Sequence, residues 1–298
     1  MFDDFAEDAR AYNQAFVEKI RDEGSEKAAA QLTDYTRQKI REEAFCRPIL
    51  ASQPITPLEL DVTDQIKTPV KFVDKEPDSK AYAVTFRGKG DDRWFDGDRY
   101  RVDFVHIESE RFKCTLGELA TYRAPIRKIL HDNYLLDVRE KEDKLFYDAV
   151  NTVVAESGNT HVASTGFNMI ELSNTAKMVA NKRLEPITIL MSSSTFRDLS
   201  TWPATLVGSP LASEINVNGW KYDKIGGYNY VKTVKTDILP DGELYIFTGP
   251  EFLGKHYTLY DVQVYFEQKG SEISFFVWED IGMGIGNTNA VAKMTWAT

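Results

Sequence analysis

From Pro125 to about Glu156 the chain carries one unbroken helical pattern. Ile126, Leu130, Tyr134, Val138, Leu145, Ala149 and Val153 recur on a single face, Pro125 suits the first helical position, and Ser157-Gly158 ends the run. At 1.5 Å per residue such a helix is a rod of roughly 45 Å, against a usual length of about 11 to 12 residues. A rod of this length outreaches a compact domain, which restricts the folds open to the rest of the chain. Its centre is the charge run Arg139-Glu140-Lys141-Glu142-Asp143-Lys144, read as a solvated face with favourable i,i+4 pairs.

The segments before the rod also reach outward. Phe5, Ala9, Tyr12, Phe16 and Ile20 form one amphipathic stripe, with Gly24 as its stop, and a second helical stretch runs from about Glu26 to Ala44. Arg47 through Pro57 reads as extended, because Pro48, Pro54 and Pro57 each remove a donor and disfavour helix in the residue before. Residues 1–60 are therefore an arm, helical and then extended, with little core of its own.

From Val62 to Cys114 the chain alternates apolar and polar side chains, as in Val70/Phe72, Tyr82/Val84/Phe86 and Tyr100/Val102/Phe104, the period of strands. Between them Arg87 to Asp98 is rich in glycine and charge, so the segment reads as a long hairpin with a projecting tip. A lone hairpin is marginal in water, and this one should gain stability on another subunit. Its tip residues Lys89, Arg93, Trp94 and Phe95, with Phe5, Tyr12 and Phe16 of the arm, are the candidate contacts between subunits. Folding back of Trp94 and Phe95 onto the hairpin is the competing reading.

The second half is α+β material. A helix is expected over Ile170 to Arg183, a buried strand over Pro186 to Met191, and a helix from Ser194 to Leu199 capped by Ser194. Trp202 to Gly219 reads as a loop. Strands follow at Tyr228 to Val234, Glu243 to Phe247, Leu259 to Glu267 and Glu272 to Trp278, the last two joined by a hairpin at Gln268 to Ser271.

Composition mainly excludes. A chain of 298 residues that is 42% hydrophobic can bury a sizeable core. The formal charge of −10 argues against a phosphate-gripping protein, though it suits the lining of a container for DNA. Met1-Phe2-Asp3-Asp4 is acidic where a signal peptide is basic, and no apolar run approaches a membrane span, so a cytoplasmic protein with no membrane partner is expected. Cys46 and Cys114 signal neither a disulfide framework nor a zinc cluster.

No chemical motif stands out. Gly282-Met283-Gly284-Ile285-Gly286 has the wrong glycine spacing for a dinucleotide turn and too little chain after it, so it reads as backbone that turns or approaches a neighbour closely. Asp92, Asp96, Gly97 and Asp103 fall near calcium-loop spacing, but Trp94 occupies a ligand position. His106, His131, His161 and His256 are scattered, and no GxSxG elbow surrounds Ser192-Ser193-Ser194. Neither catalytic residues, a cofactor nor a metal is expected.

The order of parts, together with Tyr122-Arg123-Ala124-Pro125-Ile126 at the helix start and Glu279 to Asn287 after the closing hairpin, resembles major capsid proteins of tailed bacteriophages with the Hong Kong 97-type fold. The resemblance spans essentially the whole chain. It implies an α+β fold with an N-terminal arm (1–60), an E-loop hairpin (61–121), a P-domain spine helix (122–165), an A-domain (166–254) and closing strands that return to the P-domain (255–298). It further implies a structural protein, not an enzyme, that assembles with itself into pentamers and hexamers of an icosahedral head around double-stranded DNA. The place would be the virion, with assembly in the host cytoplasm. Portal and decoration proteins would be partners. Nothing in the arm looks like an extra scaffolding domain, so a separate scaffolding protein is expected. Some relatives join an E-loop lysine to a P-domain asparagine; Lys89 with Asn287 or Asn289 could take those parts. An encapsulin-like cellular nanocompartment shell and a soluble α/β enzyme with a dispersed site are the alternatives.

Overall fold

The long helical pattern folds as one helix. In the computed structural model, which describes residues 44–63, 66–76, 80–81, 83–90, 92, 94, 97–121, 126–199, 224–225 and 227–297, it spans Ile126–Ser157, 32 residues. The expected arm helices before Ala44, the helix start at Tyr122 to Pro125 and the loop from Trp202 to Gly219 lie outside the described residues.

In chain order the elements are α1 (Cys46–Ile49), β1 (Ser52–Pro54), β2 (Asp61–Thr63), β3 (Ile66–Asp74), β4 (Arg99–Glu108), β5 (Phe112–Thr115), α2 (Leu116–Thr121) and the long α3 (Ile126–Ser157). Then come β6 (Thr160–Ala163), α4 (Met169–Ala180), β7 (Pro186–Ser192), α5 (Ser193–Asp198), β8 (Lys224–Ile225), β9 (Tyr228–Thr233), β10 (Glu243–Thr248) and α6 (Pro250–Leu253). β11 (Gly254–Lys269), β12 (Glu272–Ile285) and β13 (Val291–Trp296) close the chain. One sheet has the order β1-β11-β12-β4-β3-β2, with β5 also on β12; the other has the order β6-β13-β10-β7-β9-β8. The last strand thus sits in the second sheet, next to residues far earlier in the chain.

α3 holds both sheets together. Tyr134, Leu135 and Val138 pack on Val262, Val264, Phe275 and Val277 of the first sheet. Phe146, Val150 and Val154 pack on Leu190, Tyr245, Phe247 and Val291 of the second. The opposite face of that second sheet, Ile189, Met191, Leu244, Ile246 and Met294, is covered by Leu172 and Ala176 of α4 and Phe196 of α5. Neighbouring residues of one strand enter different cores, as a period of two demands.

Several expectations are corrected. The buried face of α3 after Val138 is broader than the apolar stripe: Val153 is buried and the half-buried Leu145 packs on the first core as expected, Ala149 is half-buried, and Glu142, Phe146, Val150 and Val154 are buried beside them. Steps of seven and of four from Val138 both stay within one broad helix face, and packing buries the four-residue steps most fully. Arg47 to Leu50 is not extended. α1 is a helical turn closed by the Leu50 N–H to the Cys46 carbonyl at 2.8 Å; Pro48 lies in its first turn, where a missing N–H costs nothing. α5 is capped by Ser192, whose oxygen accepts the Thr195 N–H, and not by Ser194. Residues 83–90 hold no strand: a turn at Phe86-Arg87 is closed by the Gly88 N–H to the Thr85 carbonyl at 2.7 Å. Alternation there has no face to bury within the subunit.

The glycine run near the C-terminus does not turn either. It continues β12, antiparallel to β4 and β11. Close approach explains it: a Cβ on Gly284 would stand 2.4 Å from Val102 Cγ2, and one on Gly286 would stand 2.6 Å from a Tyr100 ring carbon. The missing side chains let the root of the β3/β4 hairpin lie flat on β12. The β11/β12 connection is the expected hairpin, with Lys269 opposite Glu272 and Gly270 at φ 67°.

Candidate functional site

Two features of the subunit are not explained by ordinary core formation: a charge cluster sealed inside it and an apolar tip held outside it.

The cluster sits where α1 meets α3, β11 and β12. Arg47, Arg139, Glu142, Asp143, His256 and Glu279 are all buried, four of them with no exposed surface. This corrects the reading of the charge run as a solvated face: Glu140, Lys141 and Lys144 are exposed, but Arg139, Glu142 and Asp143 point inward. Arg47 Nε donates to Glu142 Oε1 at 2.8 Å, and its Nη2 lies 3.7 Å from Glu279 Oε2. His256 Nε2 lies 2.9 Å from the same Glu142 oxygen, near enough to act on its charge though misaligned for a full hydrogen bond. On the other side, Lys235 donates to Asp143 Oδ2 at 2.6 Å, and the Cys46 N–H donates to Asp143 Oδ1 at 3.1 Å. The turn carrying residues 46–49 is thereby pinned to α3 by its backbone and by its arginine.

The carboxyls differ in proton affinity. Burial would raise Glu142, but His256 and Arg47 outweigh it and hold it below the usual range. Burial, and then Glu142, push Glu279 well above the usual range, since Arg47 stands too far off to compensate. Burial raises Asp143 to about 6 despite Lys235. The folded state therefore binds protons at Glu279 and Asp143 more tightly than the unfolded chain, so these two lose stability as pH rises from their ordinary values through the raised ones. Glu142 has the opposite sign and loses its contribution as pH falls through its lowered value. We expect Glu279→Gln to stabilise the subunit more at pH 8 than at pH 4.5 in denaturant unfolding. An equal effect at both would mean that folding does not raise the proton affinity of Glu279.

No substrate could reach a cluster with so little exposed surface. It can fix the register of α1 on α3 and take up protons. Sequence reasoning missed it, although one signal was present: Arg139, Glu142 and Asp143 share a helix face with Val138, Phe146 and Val150. His256 in an alternating strand gave no signal.

The hairpin tip is the reverse case. Phe86 and Trp94 are essentially fully exposed and Val84 is half-exposed, so Trp94 does not fold back. Lys89 forms an ion pair with Asp92 beside them. Arg93, Phe95, Phe5, Tyr12 and Phe16 lie outside the described residues. Asn287 starts a short turn, its side-chain oxygen accepting the Asn289 N–H at 3.1 Å. Among the described residues, Lys89 and Asn287 do not meet within one subunit.

No family model and no curated protein matches the sequence. Solved structures do match the fold. A chain from Mycobacterium phage Adephagia is 10% identical with a TM-score of 0.60, covering 86% of this chain and 90% of its own. A chain from the capsid of the cyanophage P-SCSP1u is 8% identical with a TM-score of 0.59, covering 84% and 87%. One from the capsid of the native GTA particle is 13% identical with a TM-score of 0.58, covering 86% and 90%. The mixed α+β fold of this chain is that of phage and GTA capsid chains over most of its length, as the Hong Kong 97-type resemblance implies.

Proposed function

We propose that this chain is the major capsid protein of a tailed bacteriophage, a structural subunit without catalytic activity. The observation that carries the reading is the fold shared over 84–86% of the chain with chains from phage and GTA capsids. Copies of the chain assemble into pentamers and hexamers and close an icosahedral head around double-stranded DNA, with a separate scaffolding protein, a portal and a decoration protein as further partners. Residues 1–60 serve as the arm, 61–121 as the E-loop, and α3 as the spine. Residues 166–254 serve as the axial domain, and the closing strands of 255–298 return to the peripheral domain that carries α3.

The exposed tip supports this. Large apolar side chains in water mark contact sites, and Trp94 and Phe86 have no partner among the described residues of their own subunit. A neighbouring copy supplies the missing surface. Electron microscopy of the protein, alone and co-expressed with its scaffolding partner, tests the reading: closed particles in either case support it, and a monomer or dimer in both overturns it. Packaged DNA in those particles distinguishes a phage head from a nanocompartment, which would hold an enzyme cargo.

Trp94→Ala should leave the subunit folded, with an unchanged denaturation midpoint, while the yield of closed shells in an assembly assay falls severalfold. Normal shells of normal thermal stability would remove Trp94 from the interface.

A further inference from the structure

Two segments far apart in the sequence close over the middle of α3 and hold one carboxylate between them. Residues 44–50 form the turn that carries α1, and residues 234–239 connect β9 to β10. The Cys46 N–H donates to Asp143 Oδ1 at 3.1 Å, and Lys235 Nζ donates to Asp143 Oδ2 at 2.6 Å, so each segment takes one oxygen of the same side chain. The Lys235 ammonium also lies 5.8 Å from the centre of the Phe45 ring. Beneath these contacts Phe45, Ile49 and Leu50 share one buried cluster with Ile238 and Leu239. The connection closes on itself, with the Ile238 and Leu239 N–H groups both donating to the Lys235 carbonyl, at 3.2 and 3.0 Å.

We propose that residues 44–50 and 234–239 are a single clamp on α3 that opens and closes as a unit, with Asp143 as its shared catch. A single helical turn such as α1 has no stability of its own in water, and the connection is a turn with no strand of its own. What holds each in place is the apolar surface of the other and of α3. Lifting residues 44–50 exposes Ile238 and Leu239 to water. Lifting residues 234–239 exposes Phe45 and takes away the cation paired with a buried carboxylate. Each opening therefore carries part of the cost of the other, and the coupling is reciprocal. The Arg47 contact with Glu142 is a second anchor on the side of the turn.

The turn is where residues 1–43 join the described fold, and residues 234–239 belong to the stretch assigned to the axial domain. A neighbour that grips or releases residues 1–43 thus acts on the axial domain through Asp143. That consequence rests on the shell reading; the coupling itself is a property of one subunit and is tested there.

The test is hydrogen–deuterium exchange of the full-length, unassembled subunit. Lys235→Met keeps an apolar stem beside Phe45 and removes the ammonium. Exchange should rise about tenfold at residues 234–239, the effect of losing one hydrogen bond between charged groups, and by a comparable factor at residues 45–50, while α4 stays as protected as in the natural chain. Phe45→Leu approaches the clamp from its other side: with Lys235 and Asp143 untouched, exchange at Ile238 and Leu239 should rise severalfold. A rise confined to residues 234–239 in Lys235→Met, or to residues 45–50 in Phe45→Leu, overturns the proposal. So does unchanged exchange in both segments, and so does a rise that extends equally to α4, which would report loosening of the whole fold.

Discussion

Arg47→Met should cost the folded subunit about 3–5 kcal/mol, the range for removing one partner of a buried ion pair. Arg47 is the cation hydrogen-bonded to Glu142 and the cation nearest Glu279 among the contacts of the cluster. Methionine keeps an apolar stem of similar length, so the loss reports charge and not volume. Glu142 would stay buried with His256 beside it, and burial would push its carboxyl up toward the neutral form. The double variant Arg47→Met with Glu142→Leu should recover part of the loss, because neither member of that pair is then left buried without the other. Denaturant unfolding of the unassembled subunit measures both. A single variant within about 1 kcal/mol of the natural protein would mean that water reaches the cluster.

The other large effect lies one turn along the same helix. Phe146 has no exposed surface and packs edge-on against Phe45, with ring centres 6.2 Å apart, and against Phe247 at 5.8 Å. Phe146→Ala should destabilise by about 3–5 kcal/mol through lost burial and the cavity left behind. It should also loosen the segment of residues 44–50, whose Phe45 loses its ring contact, so that proteolysis near that segment accelerates. Leu136→Ala on the same helix is the control. Leu136 is 53% exposed, and surface substitutions of this kind usually stay within about 0.5 kcal/mol. Equal losses for the two variants would mean that α3 presents a different face to the core.

Both predictions concern side chains whose surroundings could not be read from the chain alone, and the reason is the same in each case. Helix period is a local property, so α3, α4 and the closing hairpin were legible from apolar spacing, from Ser157-Gly158 as a stop and from Gly270 as a turn. The order of those parts was enough to point to a capsid-like fold. Period does not say which of two adjoining stripes is covered. Leu145, Ala149 and Val153 made an apolar stripe that avoided the charges and is partly covered, while the adjoining stripe through Glu142, Phe146 and Val150 is fully buried.

Burial of Glu142 becomes tolerable only because Arg47 arrives from 95 positions away and His256 from another strand. The same holds for Gly282, Gly284 and Gly286, whose spacing was visible while the side chains of Tyr100, Val102 and Phe104 that need their empty space were not. By itself the sequence determined α3, α4, β7, β9, β10 and the closing hairpin, because those follow from interactions a few residues apart. Only the tertiary structure decided which charges are inside, since the free energy of a buried charge depends on partners that folding alone brings within about 3 Å of it.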